Sequence, residues 1–249
     1  PMTTLIQVEN VSKTFKVRQG SRTLLAGGGL RSRFGRREKV CALDDLSFTI
    51  EDGSSVGIIG RNGSGKSTLL KIMAGVTVPT TGRVTVRGRL VSLLELGAGF
   101  HPLLTGRENV FLNGHILGMT RQQMQRAFDD IVEFSGIGDS IDNPVNTYSS
   151  GMFVRLGFAV AVHTNPDIFL VDEVLSVGDE QFQRQCRSRI HELKEQGKTI
   201  VFVSHDLNIV NALCDDVILL KDGKIVSRGT PRAVIDLYLR QLGREIASG

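Results

Sequence analysis

The sequence predicts an α/β fold built on a parallel core sheet, and three observations carry that prediction. Short apolar, β-rich runs at 55–59, 167–171 and 199–203 alternate with segments of helical periodicity through the middle of the chain, an order that calls for crossover connections. A glycine-rich loop, Gly60 to Gly65, stands between the first of these runs and a helix beginning at Lys66. Alternating runs bounded by turn signals lie near both ends, which places antiparallel strands there.

The elements follow in order. From 42 to 50 the apolar residues Leu43, Leu46, Phe48 and Ile50 fall mostly on alternate positions, the pattern of a half-buried strand. Asp52-Gly53 is a turn, and 55–59 is a buried strand. The helix from Lys66 runs to about Ala74 and stops at Gly75. Thr120 and Gln123 form a capping box, behind which Met124, Phe128, Ile131 and Val132 recur at helical spacing as far as Gly136. A further helix covers 151–163, a charged one 181–195 closed by Gly197, and a terminal one 232–242. Runs at 217–220 and 225–227 flank Asp222-Gly223 as a hairpin. The helix-rich stretch from about 105 to 164 separates two sheet-forming parts and is expected to be a subdomain. Gly27 to Gly35 reads as a surface loop.

Composition narrows the class. The 249 residues are 41% hydrophobic and 22% charged, which excludes a mostly disordered chain. The longest apolar stretch, Leu156 to Val162, falls far short of the roughly 18 residues a membrane span needs. No secretory signal is visible, and Pro1 before Met2 reads as a tag remnant. Cys41, Cys186 and Cys214 are too scattered for a disulfide framework or a zinc site and suit a reducing cytoplasm. Thirty basic against 26 acidic residues give a net charge of +4, compatible with an anionic partner and equally with a solvated surface. Arg31, Arg33, Arg36, Arg37 and Lys39 form its densest cluster.

Gly60-Arg61-Asn62-Gly63-Ser64-Gly65-Lys66-Ser67-Thr68 fits G-x-x-x-x-G-K-[ST] in the strand-to-helix context that motif requires. Glycines let successive backbone N–H groups converge on phosphate oxygens, and the helix start adds partial positive charge. Lys66 is placed to reach the β- and γ-phosphates, and the Ser67 hydroxyl to ligate Mg²⁺. A chance glycine turn is the alternative. The run Ile168-Phe169-Leu170-Val171 delivers Asp172 and Glu173 to the same sheet edge, where ligands of such sheets bind. Asp172 suits the Mg²⁺ shell, and Glu173 suits orienting and deprotonating a water. An acidic pair after a strand means little alone and gains meaning from the glycine loop.

With these motifs the chain resembles the ATP-binding-cassette (ABC) ATPases over nearly its whole length. The resemblance implies an ABC-type P-loop ATPase in one domain, 1–249. It has a mixed core sheet, an N-terminal antiparallel β part, the helical subdomain and an inserted loop at 16–40. Tyr148-Ser149-Ser150-Gly151-Met152 stands where the family has its Leu-Ser-Gly-Gly-Gln signature, with Ser149 and Gly151 matching. In the family that signature completes the ATP site of the opposite subunit, so Ser149, Ser150 and Gly151 are expected to face a twin's nucleotide. Standing alone, Ser149 reads as an ordinary helix cap. Arg155 sits where the family often has arginine. Asp179 matches the D-loop aspartate that couples the two sites, although Leu175-Ser176-Val177-Gly178 departs from the usual Ser-Ala-Leu. By resemblance His205, in Val203-Ser204-His205-Asp206, contacts the γ-phosphate; a lone histidine after a strand is otherwise structural. Phe15 stands near the aromatic that stacks on adenine, with a core role as its alternative. The family's glutamine, a ligand of Mg²⁺ and the attacking water, falls at Glu95 or Leu96, and Glu95 is taken as its replacement.

The motifs around Leu94-Glu95-Leu96-Gly97-Ala98-Gly99-Phe100, Thr105-Gly106-Arg107-Glu108-Asn109, the signature and Val177-Gly178-Asp179 resemble the ATPases of bacterial polysaccharide exporters. That implies a homodimer of motor subunits using ATP and Mg²⁺ at the cytoplasmic face of the inner membrane. They would serve two copies of a membrane permease that moves lipid-linked O-antigen, capsule or teichoic acid. The stretch 96–117, with Phe100, Leu103 and Leu104, is expected to receive a permease helix, or else to pack within its subdomain. The basic cluster would face anionic headgroups or remain a solvated loop. So few residues follow the last helix that no sugar-binding domain is expected. Two alternatives are an ATPase of another ABC transporter and a soluble ABC ATPase acting on nucleic acid. The second is disfavoured because no sustained heptads separate Lys66 from Asp172, and no nucleic-acid partner is expected. A non-hydrolysing module is opposed by Glu173.

Overall fold

The computed structural model describes residues 3–18, 37–172 and 178–247. Two sheets organise them. Strands β1 (Thr4–Arg18), β2 (Arg37–Glu51) and β4 (Thr81–Val86) form an antiparallel sheet in the order β2-β1-β4. The second sheet has the order β5-β6-β7-β3-β8-β9. It comprises β3 (Ser55–Ile59), β5 (Leu90–Ser92), β6 (Ile168–Val171), β7 (Thr199–Val203), β8 (Asp216–Lys221) and β9 (Lys224–Gly229). Its neighbours pair in parallel except β8 and β9, a hairpin turned by Asp222 and Gly223 at positive φ, the conformation a two-residue hairpin loop demands.

Alternation along the central strands divides the apolar residues between two layers. On one face Ile59, Phe169, Val171, Phe202 and Leu219 pack under helices α4 to α7. On the other Ile58, Ile168, Leu170, Val203 and Ile218 meet α1 and the antiparallel sheet. The helices are α1 (Lys66–Met73), α2 (Gly106–Ile116), α3 (Arg121–Ser135), α4 (Ser150–His163), α5 (Glu180–Glu195), α6 (Leu207–Leu213) and α7 (Pro231–Ala247). None is long and apolar enough to cross a membrane.

Helices α2, α3 and α4 lie between β5 and β6 and share a cluster that includes Val110, Met124, Phe128, Ile131, Leu156 and Val160. The capping box expected at Thr120 and Gln123 is present, and α3 ends on Gly136 at φ 63°. A second capping box joins Thr105 and Glu108 at the start of α2. Those hydrogen bonds from Thr105 hold the Glu108 carboxyl below its usual range.

One boundary moves. Residues 16–18 and 37–40, expected within the inserted loop, are strand, pairing Lys16 with Lys39 and Arg18 with Arg37. The rest of the insertion, including Arg31, Arg33 and Arg36, lies outside the described residues. Lys39 is exposed. The cysteines are free thiols, Cys186 and Cys214 buried and Cys41 exposed. Burial pushes both buried thiols up to about 12, so they remain protonated and inert at neutral pH.

Candidate functional site

The site begins at one sheet edge. The parallel register sets Val171 of β6 against Phe202 of β7, and Val203 of β7 against Ile58 of β3. Asp172, Ser204-His205 and Gly60 therefore leave three adjacent strands at neighbouring C-terminal ends, where an open α/β sheet binds ligands. β5 ends beside them, Ser92 opposite Leu170, and passes into a 3-10 turn, Leu93–Glu95. This brings the backbone of Glu95 to the same edge.

The loop after β3 is shaped by close approach. At Gly60, φ 150°, a Cβ would run into the Leu220 carbonyl oxygen. At Gly65, φ 105°, it would meet the Ala42 oxygen at 2.5 Å and Leu43 Cδ2 at 2.7 Å, so both positions need glycine. Gly65 is also the N-cap of α1 and supplies no side-chain hydrogen bond. The cap residue itself therefore offers the first turn of α1 no side-chain acceptor.

Lys66 is only 6% exposed. Its ammonium folds back over the loop, donating to the carbonyl oxygens of Gly60 at 2.7 Å and Arg61 at 3.0 Å. Ser64 is buried beneath, its Oγ without a hydrogen-bond partner. Above the loop opens a cleft of about 490 Å³ lined by Phe15, Ala42, Asn62, Gly63, Gly65, Lys66, Ser67 and Thr68. A buried cation, an uncapped helix start and a glycine cradle together present positive potential to one small volume. That arrangement suits a phosphate chain. Phe15 is 42% exposed at the cleft wall, with Lys13 Nζ 5.2 Å from its ring centre. That exposure leaves a flat ring available for stacking.

Other expected residues are not among those that line this cleft. Asp172 is half-buried at the end of β6. His205 is exposed and lines a neighbouring cleft of about 670 Å³ with Asn208, Arg232 and Asp236. Ser149 caps α4, its Oγ accepting from Met152 N at 3.2 Å. Ser149 and Ser150 are exposed, and Gly151 is partly so. Asp179 caps α5. Glu173 lies outside the described residues.

Asn109 is a residue the sequence reading left without a role. It is fully buried, accepts from His101 N at 2.6 Å and donates to the oxygens of His101, Leu104 and Thr105. It pins the loop that displays Leu103, 71% exposed. Asn109 and Asn113, two amides four residues apart among the buried positions of α2, were the available signal.

A phosphate cradle at the C-terminal edge of a parallel sheet, entering a helix through a buried lysine, defines a P-loop nucleotide-binding ATPase. The comparisons narrow this class. The chain belongs to the ABC transporter family, whose model matches residues 43–176. It is 48% identical over 200 residues to the O-antigen export system ATP-binding protein RfbB of Klebsiella pneumoniae, covering 80% of this chain and 81% of that protein. It is 46% identical over 240 residues to the RfbB of Myxococcus xanthus, covering 94% of this chain. The teichoic acids export ATP-binding protein TagH of Listeria monocytogenes is 44% identical over 233 residues, covering 94% of this chain and 69% of that protein. The chain spans little more than half, 55%, of the Myxococcus relative. Its fold matches the dimeric ATP-binding cassette MJ0796 bound to ADP and Pi with a TM-score of 0.71. That match has 25% identity and covers 91% of this chain and 99% of that one.

Proposed function

We propose that this chain is the ATP-hydrolysing motor subunit of an exporter that moves lipid-linked polysaccharide across the cytoplasmic membrane. The polymer class is that of O-antigen, capsule or teichoic acid. Two copies work at the cytoplasmic face on two copies of an integral membrane permease. The observation that carries the paired reading is a division of labour within the chain. The Lys66 cradle holds phosphate on the core, whereas Ser149 to Gly151 present an exposed helix start that lines none of that cleft. Two such chains placed head to tail complete each other's sites. The kinship to O-antigen and teichoic acid export proteins supplies the substrate class.

The chemistry is hydrolysis of ATP to ADP and phosphate. Phe15 stacks on adenine. The N–H groups of the Gly63–Thr68 segment and the Lys66 ammonium hold the phosphates. Glu173 orients the attacking water and takes its proton, and His205 meets the γ-phosphate. Ser67 and Asp172 offer a hydroxyl and a carboxylate, the hard oxygen donors that suit Mg²⁺, with Glu95 a third donor by its place at the same edge. Bound there, the ion would neutralise charge on the β- and γ-phosphates. Binding closes the pair of cassettes, and phosphate loss reopens it. The exposed apolar residues Leu103, Leu112 and Ile116 form the face toward the permease.

The test is Glu173→Gln in the purified chain. Turnover should fall by about 10²- to 10⁴-fold while ATP binding persists and the dimer accumulates in light scattering. Brisk hydrolysis by that variant would contradict the reading.

A further inference from the structure

Helix α4 carries the exposed Ser149–Gly151 start, and further along the same helix stands Arg155. Its guanidinium Nη2 donates to Asp179 Oδ2 at 2.9 Å. The guanidinium centre also lies 4.9 Å from the middle of the Phe182 ring. Asp179 Oδ1 accepts from Phe182 N at 2.9 Å as the cap of α5. Each oxygen of this carboxylate is thus engaged inside its own chain. Phe182 is itself buried and packs edge-on to Phe134 and Phe158, with ring centres 5.8 Å apart in both pairs. A planar guanidinium can hold a carboxylate and lie on a ring at once, which an ammonium does less well. Arg155 is a quarter exposed, so the ion pair is partly screened and its strength is modest.

We propose that Arg155 is a positioning residue that joins the start of α4 and the Asp179 segment into one body, so that both surfaces meet the twin's nucleotide together. This rests on the paired reading above. Asp179 then acts through the placement of its segment, since its carboxylate is held by Arg155 and by the α5 cap. The effect of Arg155 falls on hydrolysis in the partner copy's cleft.

Mixed dimers of differently tagged full chains test this, with Glu173→Gln confining hydrolysis to one cleft. Arg155→Ala in the Glu173→Gln copy should lower kcat of the remaining cleft about five- to tenfold with KM for ATP unchanged. The same change in the copy with the working cleft should leave the rate within about twofold. The reverse pattern, or equal loss from either copy, overturns the proposal. The charge-exchanged Arg155→Asp/Asp179→Arg copy should recover part of the rate lost by either single change, which general loosening of the fold would not give. No recovery by a copy that binds ATP and melts normally also counts against it. Ser149→Arg in the Glu173→Gln copy separates the two failures. If it leaves the other cleft unaffected, the paired reading fails, and this proposal with it. If it acts where Arg155→Ala does not, only the proposal fails.

Discussion

Helices α1 and α4 both begin where the proposed function sets a phosphate before backbone N–H groups, yet they are built in opposite ways. The start of α1 has glycine for a cap and no side-chain acceptor, and it is backed by the buried Lys66. The start of α4 has its own serine cap, stands exposed, and carries no acidic residue in its first turn. In α4 the Ser149 hydroxyl satisfies the Met152 N–H, leaving the Ser150 and Gly151 N–H groups beyond the reach of intrahelical bonds. The first arrangement suits a phosphate. The second is capped by its own serine and, in the proposed pairing, lends its remaining donors to a neighbour. Withholding the cap side chain and adding a cation is what suits the α1 start to a resident anion.

The largest expected effect falls on the first of these. Lys66→Ala removes the cation that folds over the Gly60 and Arg61 carbonyls and leaves the cradle without its charge. Charge-assisted contacts of this kind contribute about 3 kcal/mol, so ATP affinity should fall by about 100-fold or more. Fluorescent-nucleotide titration measures it. Affinity retained within severalfold would mean that the α1 start suffices without the cation.

A middle-sized effect is expected at the cleft wall. Phe15→Ala should raise the Kd for ATP by about five- to twentyfold, since stacking of a base on a ring is worth roughly 1–2 kcal/mol. Phe15→Tyr should restore it. Because Phe15 is 42% exposed, its loss should cost less than about 1 kcal/mol of stability. A variant that loses stability but keeps its affinity would return Phe15 to a packing role.

The parts of this comparison were unequally legible in the sequence. The glycine loop and α1 were plain, because a strand, a fixed motif and a helix stop at Gly75 agree. The α4 cap was visible, and the Thr120 box defined α3 to within a residue. Helix α2 was not resolved from its surroundings, because glycines interrupt it for tertiary reasons. A Cβ at Gly106 would strike the Tyr148 hydroxyl, and one at Gly114 the Met124 sulfur. β1 hid its alternation behind register shifts between Val8 and Val11 and again before Thr14. β4 is mostly exposed and β5 only three residues long, so neither carries an apolar signal. The pairing of Lys16 with Lys39 could not be read, since no turn signal or apolar alternation marks how far the two strands extend. Nor could the bond from Arg155 to Asp179, which unites residues distant in the chain.

The smallest effect separates the two duties of the α4 start. Ser149→Ala deletes a cap whose hydroxyl serves Met152 N, a loss of about 1 kcal/mol, which for a chain of this size lowers Tm by about 2–4 °C. Ser149→Asp should spare that stability, because a carboxylate caps as well as a hydroxyl and complements the helix dipole. It should nevertheless slow hydrolysis, since it sets a negative charge where the twin's phosphate is to approach. If α4 were only a capped helix, the two variants would rank alike in thermal melting and in ATPase rate. If it serves a neighbour's nucleotide, the aspartate variant melts like the parent and hydrolyses more slowly than the alanine variant.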